Sequence, residues 1–96
     1  MTEIVGIASV QPILFGVLKM AWCDGFEAVV DLRPVLAEGN VFEFLREAPR
    51  RFDDVKLEGH GHYIYWLDSD GDEIELGSDS LRRRAVRQAE ILRLVS

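Results

Sequence analysis

Val17-Leu18-Lys19-Met20-Ala21-Trp22-Cys23-Asp24-Gly25-Phe26-Glu27-Ala28-Val29-Val30-Asp31-Leu32 sets two apolar-rich runs on either side of an Asp-Gly pair. Asp-Gly readily supplies positive φ, so the stretch reads as a β-hairpin. Register decides the loop length. A two-residue loop would put Glu27 and Asp31 on the face of Leu18, Met20 and Trp22, burying carboxylates beside the core. A three-residue loop, with Gly25 left-handed, aligns Leu18, Met20 and Trp22 with Phe26, Ala28, Val30 and Leu32, because a slip of one residue turns every side chain over. The pattern predicts the three-residue loop.

Working outward, Ile4 to Val10 reads as a strand ended by Pro12. Arg33-Pro34 closes the hairpin's second strand, and Pro34 to Glu38 forms one helical turn ending at Gly39. Asn40 with Glu43 has capping-box spacing, and Val41, Phe42, Leu45 and Ala48 make an apolar stripe before Pro49 stops the helix. Val55-Lys56-Leu57 and His62 to Leu67 read as strands around a Gly59-His60-Gly61 turn. The loop Asp68 to Asp72 leads to a half-exposed strand, Glu73-Ile74-Glu75-Leu76. From Ser78 or Asp79 as N-cap, a helix of about residues 79–95 carries Leu81, Ala85, Ala89, Leu92 and Val95 in one sector. The sum is one α+β domain over residues 1–96: a small, mostly antiparallel sheet of about six strands, one or two short helices and a C-terminal amphipathic helix.

Size and composition agree with a single globular domain, since the chain has 96 residues, 48% apolar and 29% charged. No apolar run reaches the roughly 18–20 residues that cross a bilayer, and the Met1-Thr2-Glu3 start lacks a basic signal region. A cytoplasmic address and no membrane partner are the expectation. The single cysteine, Cys23, excludes a disulfide within the chain. Charge is unevenly spread: residues 1–80 hold six Lys/Arg against sixteen Asp/Glu, net −10, whereas residues 81–96 hold five Arg against Glu90, net +4. An acidic body repels phosphate backbones and disfavours nucleic acid as its partner.

Chemical motifs are sparse. Asp68-Ser69-Asp70-Gly71-Asp72 has alternating carboxylates, but Glu73 stands where a calcium loop needs glycine and Asp79 where it needs a bidentate glutamate. His60 and His62 lack the further ligands of a metal site, and Cys23 beside a turn reads as a small packed side chain. Neither a phosphate-binding glycine loop nor a Gly-x-Ser-x-Gly elbow is present, so no catalytic residue, metal ligand or cofactor is assigned. Trp22, Trp66, Tyr63 and Tyr65 have no interleaved basic residues and read as core rather than as a base-stacking platform. Arg82, Arg83, Arg84 and Arg87 form the basic patch and are the candidate partner-binding residues, arginine being suited to bidentate contact with carboxylate or phosphate. Trp22, Asp24, Gly25, Asp31, Pro34 and Trp66 are assigned structural roles.

Three blocks carry a family resemblance: Ile7-Ala8-Ser9-Val10-Gln11-Pro12, Trp22-Cys23-Asp24-Gly25, and Val29-Val30-Asp31-Leu32-Arg33-Pro34-Val35-Leu36. With Gly39-Asn40-Val41-Phe42, Leu45-Arg46, Phe52, Val55, Trp66, Ile74 and Leu81 following in order, residues 4–82 resemble the bacterial domain-of-unknown-function family 2442. The chain resembles a stand-alone member without the helix-turn-helix found in some relatives. The resemblance implies a small α+β module, in some cases beside small proteins in arrangements like toxin–antitoxin pairs, and brings no catalytic residues. The acidic Asp68–Asp72 loop and the arginine-rich last helix depart from it. The functional expectation is a non-catalytic protein-interaction or regulatory module. A nucleic-acid-associated regulator using the arginines is the first alternative, and a small enzyme or metal binder around Cys23, His60 and His62 the second. A protein partner is expected, with self-association left open.

Overall fold

The computed structural model describes residues 5–95. In chain order the elements are β1 (Ile7–Leu14), β2 (Val17–Trp22), β3 (Glu27–Asp31), α1 (Arg33–Leu36), α2 (Glu43–Glu47), a 3-10 helix (Pro49–Asp54), β4 (Lys56–Leu57), β5 (Tyr63–Leu67), β6 (Glu73–Gly77) and α3 (Ser78–Val95). The fold is α+β. Its six strands divide into two antiparallel three-stranded sheets, β1-β2-β3 and β4-β5-β6, where a single sheet was expected.

The hairpin forms in the expected register, with Leu18 opposite Val30 and Met20 opposite Ala28. Cys23, Asp24 and Gly25 make the loop: Trp22 donates its N–H to the Phe26 carbonyl at 2.8 Å, and Gly25 adopts φ +91°. Leu18, Met20, Trp22 and Val30 are buried in one cluster, while Glu27 faces solvent and Asp31 stays half-exposed.

Strand β1 differs from expectation, because Pro12 lies inside it instead of ending it. Bonded and non-bonded pairs alternate along an antiparallel ladder. Trp22 bonds Phe26, so the even residues of β2 face β3; Pro12, opposite Leu18, therefore directs its nitrogen away from β2. An edge position that needs no N–H tolerates proline. Ile4, the expected first residue of this strand, lies outside the described residues.

The expected capping box does not form. Phe42 stands at the N-cap of α2 without a side-chain cap, and the buried residues are Phe42, Phe44 and Leu45, with Val41 exposed. A short helix wedged into the core turns its bulkiest rings inward whatever its polar spacing. The 3-10 helix, absent from the sequence reading, buries Phe52 against Trp66, ring centroids 5.5 Å apart. Trp66 also donates its indole N–H to the Phe52 carbonyl at 3.0 Å. The β4–β5 turn is braced by Glu58, whose carboxylate accepts from the N–H groups of His60 and His62. The two sheets meet where Ile7 donates to the Gly61 carbonyl at 2.7 Å.

Helix α3 begins at Ser78, which is buried and is not an N-cap. Its hydroxyl accepts the Trp22 indole N–H at 3.0 Å and donates to the Val5 carbonyl, leaving no buried polar side chain unsatisfied among the described residues. Leu81 and Ala85 are buried as expected. Ala89, Leu92 and Val95 are not, although they continue the same stripe. The sheet surface under the helix stops at Asp31, so the last two turns run past it. This overhang accompanies a radius of gyration of 13.5 Å, against roughly 12–13 Å for a compact domain of this length.

Candidate functional site

The outer side of α3 and the rim of β3 bring most of the expected site residues together. The helix is built from good formers (Leu, Arg, Ala, Gln), with Asp79 in its first turn and Arg93 in its last, both placed favourably for the helix dipole.

Arg82 belongs to the body. Its guanidinium is bidentate on Asp24 at 2.9 and 3.1 Å and lies 4.2 Å over the Phe26 ring and 5.5 Å from that of Trp22. It ties the helix to the hairpin, and stacking on two rings is worth about 0.5–2 kcal/mol. Asp24 is thereby explained: it accepts from Arg82 and from the Phe26 N–H, which closes the loop. Arg82 therefore has a structural contact that the sequence did not disclose.

Asp31 is held in the same manner one strand-length away. Its carboxylate takes the Arg33 N–H, Nε and a terminal nitrogen, each at 2.9 Å. Its backbone is clamped by Gln88, whose Oε1 accepts the Asp31 N–H at 3.0 Å while its Nε2 donates to the Asp31 carbonyl at 2.8 Å. Gln88 escaped the sequence reading, yet it lies three residues after Ala85 and seven after Leu81, on the buried line of the helix. That spacing was the available signal. Pro34, in the first turn of α1, carries the chain away from β3.

Arg83 and Arg87 are exposed, and Arg84 is half-buried. Arg83 reaches the Ser80 hydroxyl at 3.4 Å. The Arg33 hydrogen bonds hold the Asp31 carboxyl below its ordinary value, with a small further contribution from the charge of Arg84, but among the described residues no hydrogen bond or ion pair engages Arg84 or Arg87. Two shallow depressions flank this surface. One is lined by Ser80, Arg83, Arg84, Arg87, Gln88 and Ile91. The other is mainly apolar and lies between the helix end and β3, with Val17, Val29, Ile91 and Leu92 as its walls and Asp31, Arg33 and Gln88 on its rim.

The remaining sequence candidates lie outside these two depressions. His60 and His62 have ring centroids 5.6 Å apart, with Glu58 3.7 Å from His62. Asp68, Asp70 and Asp72 bring carboxylate oxygens within 4.8 Å of one another in an exposed loop, where Asp68 accepts from the Asp70 and Asp72 N–H groups as a turn former. Cys23 is exposed at the hairpin tip. Tyr63 and Tyr65, expected in the core with Trp22 and Trp66, are only half-buried, on the opposite face of β5. Burial, with Glu73, Glu75 and Glu58 adding to it, raises the Tyr63 hydroxyl above its ordinary pKa. These carboxylates make the tyrosine face hostile to a phosphate backbone.

The Asp24 contact has a pH signature. The Arg82 hydrogen bonds, and then the Phe26 N–H, hold the Asp24 carboxyl below its ordinary value of 3.8. A lowered folded pKa contributes stability in full above the unfolded value and loses it as pH falls through the folded one. Urea melts from pH 6 down to about pH 2.5 should show a steeper fall below about pH 4 in the native chain than in Asp24→Asn. Identical slopes would remove the pair from the account.

Compared with known proteins, the chain matches no family model, no curated protein and no solved structure. Among the described residues no helix is long and apolar enough to cross a membrane.

Proposed function

We propose that this chain is a non-catalytic protein-interaction or regulatory module whose outer α3 face docks an acidic partner. The observation carrying this reading is that Arg84 and Arg87, beside an apolar depression, are engaged by no hydrogen bond or ion pair among the described residues, in a segment 81–96 of net +4 that follows residues 1–80 of net −10. Arginine forks suit carboxylates, and a surface that couples them to apolar walls suits a protein better than a nucleic acid. The resemblance to family 2442 adds the proposal that the partner is the product of a neighbouring gene, as in toxin–antitoxin-like pairs.

The test is a binding titration with the partner purified from the native cell, at two salt concentrations, beside a circular-dichroism melt. Arg83→Glu, Arg84→Glu and Arg87→Glu together should leave the chain folded, since Arg83 and Arg87 are exposed and Arg84 is only half-buried. Binding should weaken mainly through slower association at low salt. Retained binding at both salts would overturn the reading. Binding to duplex DNA that falls steeply with salt and vanishes in the triple variant would favour the regulator alternative.

A further inference from the structure

We infer that the apolar depression between the end of α3 and β3 receives an amphipathic α-helix of the acidic partner, with apolar residues between Val17, Val29, Ile91 and Leu92 and carboxylates on Arg84 and Arg87. This deepens the interaction reading above and rests on it.

The two depressions share Gln88 and Ile91, so the apolar walls and the arginines form one continuous surface. The exposed side chains are large: Ile91 is 53% exposed and Leu92 66%, and Val29 across the depression is 56% exposed. The occupant's form follows from β3. As the outer strand of its sheet, it turns the N–H and C=O groups of residues 27, 29 and 31 away from β2, an arrangement open to strand addition. At Asp31 both groups are already taken by the Gln88 carboxamide. An extended segment would meet a blocked edge just where the depression lies. A helix needs no backbone partner and can insert side chains at i, i+3/i+4 and i+7.

Charge decides whose helix it is. Among the described residues the one long helix that a second copy could offer is its own α3, which carries five arginines against Asp79 and Glu90. Placed on Arg84 and Arg87 it would set like charge on like charge, which costs binding. An acidic helix gains at each of these positions.

The experiment selects from a display library of random 18-residue peptides on the full chain, then titrates synthetic versions of the enriched peptides. Expected are acidic sequences with apolar residues at helical spacing, whose affinity falls at least tenfold for Ile91→Asp with Leu92→Asp and, separately, for Arg84→Glu with Arg87→Glu. Ile91, Leu92 and Arg87 are exposed and Arg84 is half-buried, so these variants should fold, as circular dichroism will check. Binders that need the arginines but lack apolar spacing and ignore the Ile91 and Leu92 changes would overturn the helix inference and leave the arginine reading standing. Apolar binders indifferent to the arginine changes would overturn both. Absence of enrichment would also overturn the inference, as would a dimer in sedimentation that the Ile91 and Leu92 changes dissolve, since a second copy would then occupy the surface.

Discussion

Gly61→Ala should destabilise the chain far more than Gly25→Ala, although both glycines hold positive φ, +73° and +91°. At Gly25 an added Cβ meets nothing within 4 Å, so the cost is the left-handed backbone alone, about 1–3 kcal/mol. At Gly61 the same atom would lie 2.5 Å from the Ile7 oxygen and 2.8 Å from the Ile7 nitrogen. These are backbone atoms of the first strand, and the Ile7 N–H is itself bonded to the Gly61 carbonyl. Relief requires the junction of the two sheets to open, which adds overpacking of about 1–3 kcal/mol and the loss of that bond. A total of about 3–7 kcal/mol is a large part of the roughly 5–15 kcal/mol that holds a small domain folded. At about 4–8 °C per kcal/mol, the melting temperature should drop by tens of degrees for Gly61→Ala and by roughly 5–20 °C for Gly25→Ala. Equal melting temperatures for the two variants would show that the close approach of Gly61 to Ile7 does not persist in solution.

Trp66→Ala is the second large effect. Trp66 is 1% exposed, stacks on Phe52 and meets Phe42 edge-on with centroids 6.3 Å apart. Its indole N–H satisfies the Phe52 carbonyl, so one side chain holds β5 to the 3-10 helix and α2. Truncating a buried aromatic costs about 3–5 kcal/mol, because the cavity adds to the lost transfer energy. Trp66→Phe keeps most of the ring and loses chiefly the hydrogen bond, about 1 kcal/mol. Urea denaturation followed by far-ultraviolet circular dichroism should rank the native chain above Trp66→Phe, and that above Trp66→Ala. A loss below about 1 kcal/mol for Trp66→Ala would mean that this aromatic cluster is not a shared core.

Local chemistry explains why the hairpin was legible in advance. The alternation of Leu18, Met20 and Trp22 against Ala28 and Val30, and a glycine able to take positive φ, are properties of neighbouring residues. They fix loop length and register together. The start of α3 was placed similarly from Ser78 after an alternating strand, although Ser78 opens the helix and spends its hydroxyl on Trp22 and Val5 rather than on a cap. The capping box failed for the complementary reason: Asn40 and Glu43 have the right spacing, but Phe42, Phe44 and Leu45 in the same stretch had to face the core.

By itself, the sequence determined which runs become strands, where the main turns fall and that the last helix joins a basic face to an acidic body. Only the tertiary structure decided that the six strands separate into two sheets, that Pro12 can sit inside an edge strand, and that Arg82 is bound to Asp24 while Arg84 and Arg87 face outward. It also decided that Gln88 clamps Asp31 and that Leu92 is exposed. A periodic stripe records which side of a helix is apolar, but how far that side is buried depends on the extent of the surface beneath it. Here that surface ends at Asp31, set by the length of a strand some fifty residues earlier in the chain.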